Sequence, residues 1–320
     1  MKRVLITGAT GFVGAHLARR LLREGHEVHA LVRPGYTGWR IESIRADLRL
    51  HELEMSERDA LDQRVAEIRP NWVFHLAVHG AYSSQTSLRQ MVQTNIVGTF
   101  NLVEACLKTG FEAFINTGSS SEYGFKDHAP DEDEWVDPNS DYAVTKAAAT
   151  QFCRHRAINR NAHIVTLRLY SVYGPYEEPA RLMPTLIRNG FGGGLPPLVN
   201  PDIARDYVYT DDVDDAYLLA AASVDVPRGA VYNVGTGVQT TLREVVDVAR
   251  RTLAIPVEPQ WGTMPDRKWD TNVWVSNPAR IQRELGWMPR VPFADGFRRM
   301  ADWLREHRAY HAVYGITGLK

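Results

Sequence analysis

Through the first half of the chain, short and almost continuously apolar runs alternate with longer stretches whose apolar residues recur every three or four positions. The runs Arg3–Thr7, Glu27–Val32, Trp72–Ala77, Ala113–Thr117 and Ile164–Tyr170 predict strands buried on both faces. Between them, Phe12, Leu17, Leu21 and Leu22 would line one face of a first helix. Val92, Ile96, Phe100, Leu102, Val103 and Leu107 do the same for a helix over Met91–Lys108. Strands alternating with helices of this length imply βαβ units and a parallel sheet.

After about residue 174 the texture changes to Pro- and Gly-rich loops with one short helix. Val208–Tyr209 and Val231–Val234 read as further strands, and Thr241–Leu253 as an amphipathic helix. Thr240 or Thr241 would cap that helix, with Glu244 completing a capping box. The pattern predicts an α/β fold: a Rossmann-like doubly wound parallel sheet with a smaller C-terminal α/β substrate-binding domain. Residues 1–173 would form the nucleotide-binding domain and 174–320 mainly the substrate domain, with a strand and helix around 205–235 returning to the first.

Composition narrows the function. With 37 Lys+Arg against 38 Asp+Glu, the net charge of −1 gives no cationic excess for nucleic acid. Cys106 and Cys153 can build neither a disulfide framework nor a metal site. The run Val4–Ile6 is too short for a signal peptide, and no stretch approaches the roughly 20 apolar residues that span a bilayer. A cytoplasmic protein without metal is expected.

Strand Val4–Thr7 runs into Gly8-Ala9-Thr10-Gly11-Phe12-Val13-Gly14 and then a helix. Glycines here allow a tight turn, close backbone approach to a pyrophosphate and close helix–sheet packing. The helix start offers N–H groups and a partial positive charge to phosphate. The spacing is G-x-x-G-x-x-G rather than G-x-G-x-x-G, so its place between strand and helix carries the dinucleotide reading. The acid expected about 20 residues on is missing. Val32 stands there, followed by Arg33, which suits the 2′-phosphate of NADP and leans the choice between NAD and NADP toward the latter.

Tyr142 and Lys146 stand four apart, on one helix face. A fixed cation favours the phenolate and would bring Tyr142 toward neutrality as an acid/base. The pair follows a strand ending Thr117-Gly118-Ser119-Ser120-Ser121, at the sheet edge where α/β ligands bind. A hydroxyl there could orient a substrate oxygen.

These segments resemble the extended short-chain dehydrogenase/reductase family, as do NIVGT (Asn95–Thr99), RLYSVYGP (Arg168–Pro175), RDYVYTDDV (Arg205–Val213), YNVGTG (Tyr232–Gly237) and LGWMP (Leu285–Pro289). The later motifs point to its nucleotide-sugar epimerase, dehydratase and reductase branch. The resemblance implies Ser119, Tyr142 and Lys146 as the catalytic set. It implies cofactor contacts from the glycine loop, Glu54-Met55, Leu76, Ala77, Val78, Asn95 and Tyr170. Arg205 and Arg267 would clamp a substrate diphosphate, with Ser119, Ser120, Ser171 and His79 near the sugar and Leu198 in a base-reading loop, Leu195–Asp202. A homodimer through the helices around Met91–Lys108 and Tyr142–Arg156 is implied as well.

Departures refine this. Dehydratases of the branch carry acids where Ser120 and Ser121 stand, and strand alternation would send Glu122 to the opposite face. Ser171 replaces a usual Asn, and Ser276 a usual Asp. Five tryptophans from Trp261 to Trp303 would pack the smaller domain or offer a stacking surface for a base. The expectation is a C4 epimerase of a nucleotide-linked sugar working through a 4-keto intermediate. The alternatives are an NADPH-dependent 4-keto-sugar reductase and, behind it, a 4,6-dehydratase or a non-catalytic cofactor-binding protein.

Overall fold

The computed structural model describes residues 1–82, 84–265 and 271–317. Its strands are β1 (Arg3–Thr7), β2 (Glu27–Val32), β3 (Arg49–Glu52), β4 (Trp72–His75), β5 (Ala113–Ser119), β6 (Ile164–Leu169), β7 (Ser171–Tyr173), β8 (Ala204–Tyr209), β9 (Val231–Val234) and β10 (Gln239–Thr241). Seven form one sheet in the order β3-β2-β1-β4-β5-β6-β9, and every pairing in it is parallel. The chain reverses its direction of winding between β1 and β4, the crevice where doubly wound sheets bind ligands. Three further strands, β10-β8-β7, make a small second sheet.

The helices follow from the expected stripes. Helix α1 (Phe12–Arg23) buries Phe12, Ala15, Leu17, Ala18 and Leu21 against β1, whose Val4, Leu5 and Ile6 are fully buried. Helix α2 (Arg58–Ile68) lies beside the segment running from α3 (Leu88–Met91) into α4 (Thr99–Thr109). The single helix expected over Met91–Lys108 is interrupted, because Val92–Gly98 winds as a π-helix. Helix α5 (Asp141–Asn159) packs on β5 and β6. Beyond it come α6 (Leu182–Phe191), α7 (Thr210–Ala222), α8 (Leu242–Leu253), α9 (Ala279–Leu285), α10 (Phe293–Glu306) and α11 (His311–Tyr314). Thr241 caps α8, and Glu244 returns the bond to the Thr241 N–H, so the capping box forms.

Two strands end earlier than the apolar runs suggest, for a definite reason in the first case. Past His75 the backbone leaves the ladder, and the Ala77 N–H goes to the Thr7 hydroxyl at 3.1 Å. Strand β5 runs longer, since Gly118 and Ser119 stay paired with Arg168 and Leu169. Three strands are missing from the sequence reading: β7 and β10 are three residues each, and β3 is an edge strand of sequence RLHE with both outer residues exposed, so no apolar alternation marks it.

One core lies on the face of the parallel sheet covered by α1 and α7, and another lies under α2, α4 and α5. A third, built by α6, α8 and α10, belongs to the C-terminal part. Strand β9 joins the large sheet although it lies far along the chain, while β7 pairs in the small one. Trp287 packs in the first core with its indole N–H on the Asp212 carbonyl; Trp261 and Trp303 border the third. Trp269 lies outside the described residues. Among the described residues no helix is long and apolar enough to cross a membrane.

Candidate active site

The glycine loop closes tightly on the end of β4. Gly8 has φ +74°, and a Cβ there would meet the Leu76 carbonyl carbon at 2.5 Å and the Ala77 nitrogen at 2.6 Å. A Cβ on Gly14 would meet the Gly8 oxygen at 2.2 Å. The Gly11 N–H bonds to that same oxygen at 2.9 Å. Gly11 then starts α1 with no side-chain cap and no acid in the first turn, which leaves the positive end of the helix without a protein carboxylate. Thr10 and Val13 are half-buried beside it and Phe12 is buried. Backbone approach of this kind is what a dinucleotide pyrophosphate requires.

Next to the loop runs a directed chain of hydrogen bonds. The Thr99 hydroxyl donates to the Asn95 carbonyl at 2.7 Å, so it can only accept from His75 Nε2, 2.8 Å away. His75 Nδ1 therefore accepts from the Thr7 hydroxyl at 2.7 Å, and that oxygen accepts the Ala77 N–H. Burial pushes His75 down to about 3, with Lys146 adding to the effect, so the ring is neutral. The Asn95 amide donates both protons, to the His79 carbonyl and the Thr145 hydroxyl, and accepts the His79 N–H. The Asn95 side chain thereby holds the His79 loop against α5.

Tyr142 and Lys146 share one face of α5 beneath the end of β5. Ser119 lies close enough to the Tyr142 phenol to act on its titration, and its Oγ sits 2.8 Å from Ser121 Oγ. Lys146 is buried and donates to the Thr117 carbonyl at 2.5 Å. Burial pushes the Tyr142 phenol up to about 12; the Ser119 bond opposes this and Glu122 adds to it. The expected drop toward neutrality is thus outweighed by desolvation in this arrangement. Burial likewise lowers Lys146, with the Glu122 charge opposing.

The remaining expected residues fall into groups. Leu76 is buried, Ala77 and Val78 are half-buried along the end of β4, and Tyr170 is buried at the end of β6. Arg33 is exposed at the end of β2 and its charge reaches His79, whose pKa is lowered by burial and by that neighbour. His79 is 8% exposed and its Nε2 has no hydrogen-bond partner. Glu54 is exposed and Met55 half-buried, with the Met55 carbonyl held by Asn101. Ser171 opens β7 opposite Tyr207. Arg205 lies over the Trp274 ring at 5.4 Å, and the Trp274 indole N–H donates to Ser120 Oγ at 3.1 Å. Leu198 is 2% exposed in the third core, and both its backbone groups pair with Thr263. Arg267 lies outside the described residues. Ser276 donates to the buried Asp206 carboxylate, which also takes Thr236 and Gly237 N–H groups, so a second carboxylate at 276 would face an acid already present.

Three residues near the site gave no signal in the sequence. Arg40 is buried and bridges from the loop after β2 to the Tyr176 carbonyl and the Glu178 carboxylate. Glu177 is buried with Oε1 3.7 Å from Arg181 and Oε2 without a partner. Burial pushes its carboxyl up to about 8, against the opposing charges of Arg181 and Arg40. Arg181 acts electrostatically on Tyr142, Tyr82 and Tyr207 alike, which sets it at the same cleft. Among the described residues no cluster of His, Cys, Asp and Glu could hold a metal ion.

This arrangement has close relatives. The chain is 30% identical to the UDP-glucose 4-epimerase of Mycolicibacterium smegmatis, over 95% of this chain and 98% of that one. It is also 30% identical to the dTDP-glucose 4,6-dehydratase of Streptomyces griseus, over 96% and 95%. The fold superposes on the Thermus thermophilus UDP-glucose 4-epimerase in complex with NAD with a TM-score of 0.84, at 29% identity, covering 95% and 99%. The profile of the NAD-dependent epimerase/dehydratase family matches residues 4–235. With a glycine cradle, a Ser119–Tyr142–Lys146 set and a family match over most of its length, the chain belongs to the NAD-dependent epimerase/dehydratase family.

Proposed function

We propose that the protein is a nucleotide-sugar epimerase that inverts C4 through a transient 4-keto sugar, with NAD held by the glycine loop, Leu76–Val78, Tyr170 and Lys146. The observation that carries this over dehydration is the serine turn. Ser120 and Ser121 offer hydroxyls where a dehydratase needs acids, and the Glu122 carboxylate is turned under the loop onto Arg168 at 2.9 Å. NAD, when bound, supplies the hydride acceptor and brings a positive charge into the cleft. Tyr142 is the group that takes and returns the C4 hydroxyl proton, with Ser119 aligning the two oxygens. Lys146 holds the ribose side, and Arg181 is a cation that opposes the burial of the phenol. Arg205, joined by Arg267, suits a substrate diphosphate. We further propose a homodimer formed through α4 and α5.

Arg33 favours a second reading, an NADPH-dependent 4-keto-sugar reductase. Mass spectrometry of small molecules released on denaturing the purified protein separates the two. NAD near one equivalent per chain supports the epimerase, and an empty site that takes up NADPH supports the reductase. UDP-glucose, UDP-glucuronic acid and dTDP-glucose are then followed by proton NMR. C4 inversion is expected and should fall about 10³-fold or more in Tyr142→Phe. Formation of a 6-deoxy-4-keto product would refute the proposal.

A further inference from the structure

The turn that bears Ser119 is built over a buried carboxylate. Glu122 is fully buried, and its Oε1 accepts the Ser119 N–H at 2.8 Å and the Thr150 hydroxyl at 3.0 Å. Its Oε2 accepts from Arg168 Nε at 2.9 Å, and Arg168 is itself 2% exposed. Arg168 goes on to Tyr123 Oη at 2.8 Å, and Tyr123 to Asn233. Thr150 stands on the face of α5 that carries Tyr142 and Lys146, one and two turns along. One carboxyl group thus binds the strand end that presents Ser119, the helix that presents its partners, and the neighbouring strand β6.

Local geometry is arranged for this. Ser119 is extended (φ −146°, ψ 141°) and caps the 3₁₀ turn Ser120–Tyr123 in a reciprocal capping box with Glu122. In that box Ser119 Oγ accepts the Ser121 N–H at 3.2 Å, and the same side chain acts on the Tyr142 phenol. Gly118 leaves the space the carboxylate uses: a Cβ there would stand 2.8 Å from Glu122 Oε1 and 2.9 Å from Thr166 Cγ2.

We propose that Glu122 is a positioning residue for the reaction: through the Ser119 N–H and Thr150 it holds Ser119 in line with Tyr142. The Glu122 charge also acts on both catalytic partners, raising Tyr142 alongside burial and opposing the burial that lowers Lys146. The proposal rests on Ser119 and Tyr142 being the working pair.

The test uses paired variants of the full chain, so that no unpaired guanidinium is left buried. Glu122→Gln with Arg168→Met keeps an acceptor for the Ser119 N–H; Glu122→Met with Arg168→Met removes it. Turnover of UDP-glucose, UDP-glucuronic acid or dTDP-glucose, whichever is processed, should fall about 100-fold in kcat for the Met pair, with KM changed less than about threefold. The Gln pair should recover most of that loss. Adding Ser119→Ala to the Met pair should change kcat by less than about twofold, because the two act as one unit. Thr150→Val, which leaves the ion pair whole, should cost about two- to fivefold, with no further cost in a Ser119→Ala background. Amide exchange at Ser119, read by NMR on labelled protein, should be at least about tenfold faster in the Met pair than in the Gln pair, whether or not any sugar is turned over. Equal exchange in the two pairs, or kcat losses that multiply with Ser119→Ala, would overturn the proposal. If the pairs fail to fold, an unchanged kcat in Thr150→Val does so. Loss of turnover in Tyr142→Phe and Ser119→Ala but not in the Glu122 variants sinks this inference alone; full turnover in Tyr142→Phe sinks the functional reading instead.

Discussion

Glu177 makes the stability of this protein depend on pH in a direction opposite to that of most carboxylates. Its side chain is 4% exposed, Oε2 has no partner, and the nearest cation, Arg181, stands 3.7 Å away. Burial outweighs the nearby cations and lifts the carboxyl from the ordinary 4.5 to about 8. A folded-state pKa above the unfolded one means the folded protein binds the extra proton between those two values. Stability from this group is therefore fully present below about pH 4.5 and is lost as pH rises through about 8. Each pH unit in that window is worth about 1.4 kcal/mol, so the whole window is worth about 5 kcal/mol. Glu177→Gln keeps the shape and removes the titration. Equilibrium urea unfolding of wild type and variant, followed by tryptophan fluorescence at pH 5, 6, 7, 8 and 9, isolates the effect as a difference between the two. The variant should match wild type at pH 5 to within about 1 kcal/mol and gain on it by several kcal/mol by pH 8, with the gain levelling above that. Two curves that stay parallel across this range would show that Glu177 is ionised or solvated in the folded protein. That result would refute the reasoning.

The glycine cradle and the surface give further expectations. Gly14→Ala places a Cβ 2.2 Å from the Gly8 oxygen, so calorimetric titration should find NAD affinity reduced by more than about tenfold. An affinity equal to wild type would show that the loop tolerates the shift. Arg33→Ser should weaken NADP by about tenfold or more and leave NAD within about threefold if Arg33 reads a 2′-phosphate; equal effects on both would remove it from cofactor choice. Val144 is 50% exposed on α5, one of the two helices proposed to form the interface. Val144→Asp should convert a dimer to a monomer in sedimentation velocity at micromolar concentration, and a wild-type monomer would refute the proposed interface.

How far the site is legible depends on the range over which each side chain is positioned. The glycine loop and the Tyr142–Lys146 pair can be read from the sequence because a strand-to-helix turn and a 3.6-residue repeat fix their geometry locally. The same local logic sends Glu122 to the far side of the strand, and its carboxylate does avoid the cleft. The reason differs, however: β5 ends at Ser119 and a 3₁₀ turn, not strand alternation, tucks the carboxylate under the loop. The bonding of the Asn95 side chain is illegible in the sequence for a related reason. The π-turn over Val92–Gly98 has no marker in an otherwise helical pattern, and it brings both amide protons onto His79 and Thr145. Leu198 shows that a residue in a Pro- and Gly-rich loop can still be an anchor of the core. Arg40 is hidden more deeply, since the contacts that define it join residues 136 and 138 positions apart. No period in the sequence reports such a contact. In this protein, then, the groups proposed to do the chemistry sit where short-range geometry is strict. The groups that set their charge and alignment are recruited across the fold, and only the folded chain brings them together.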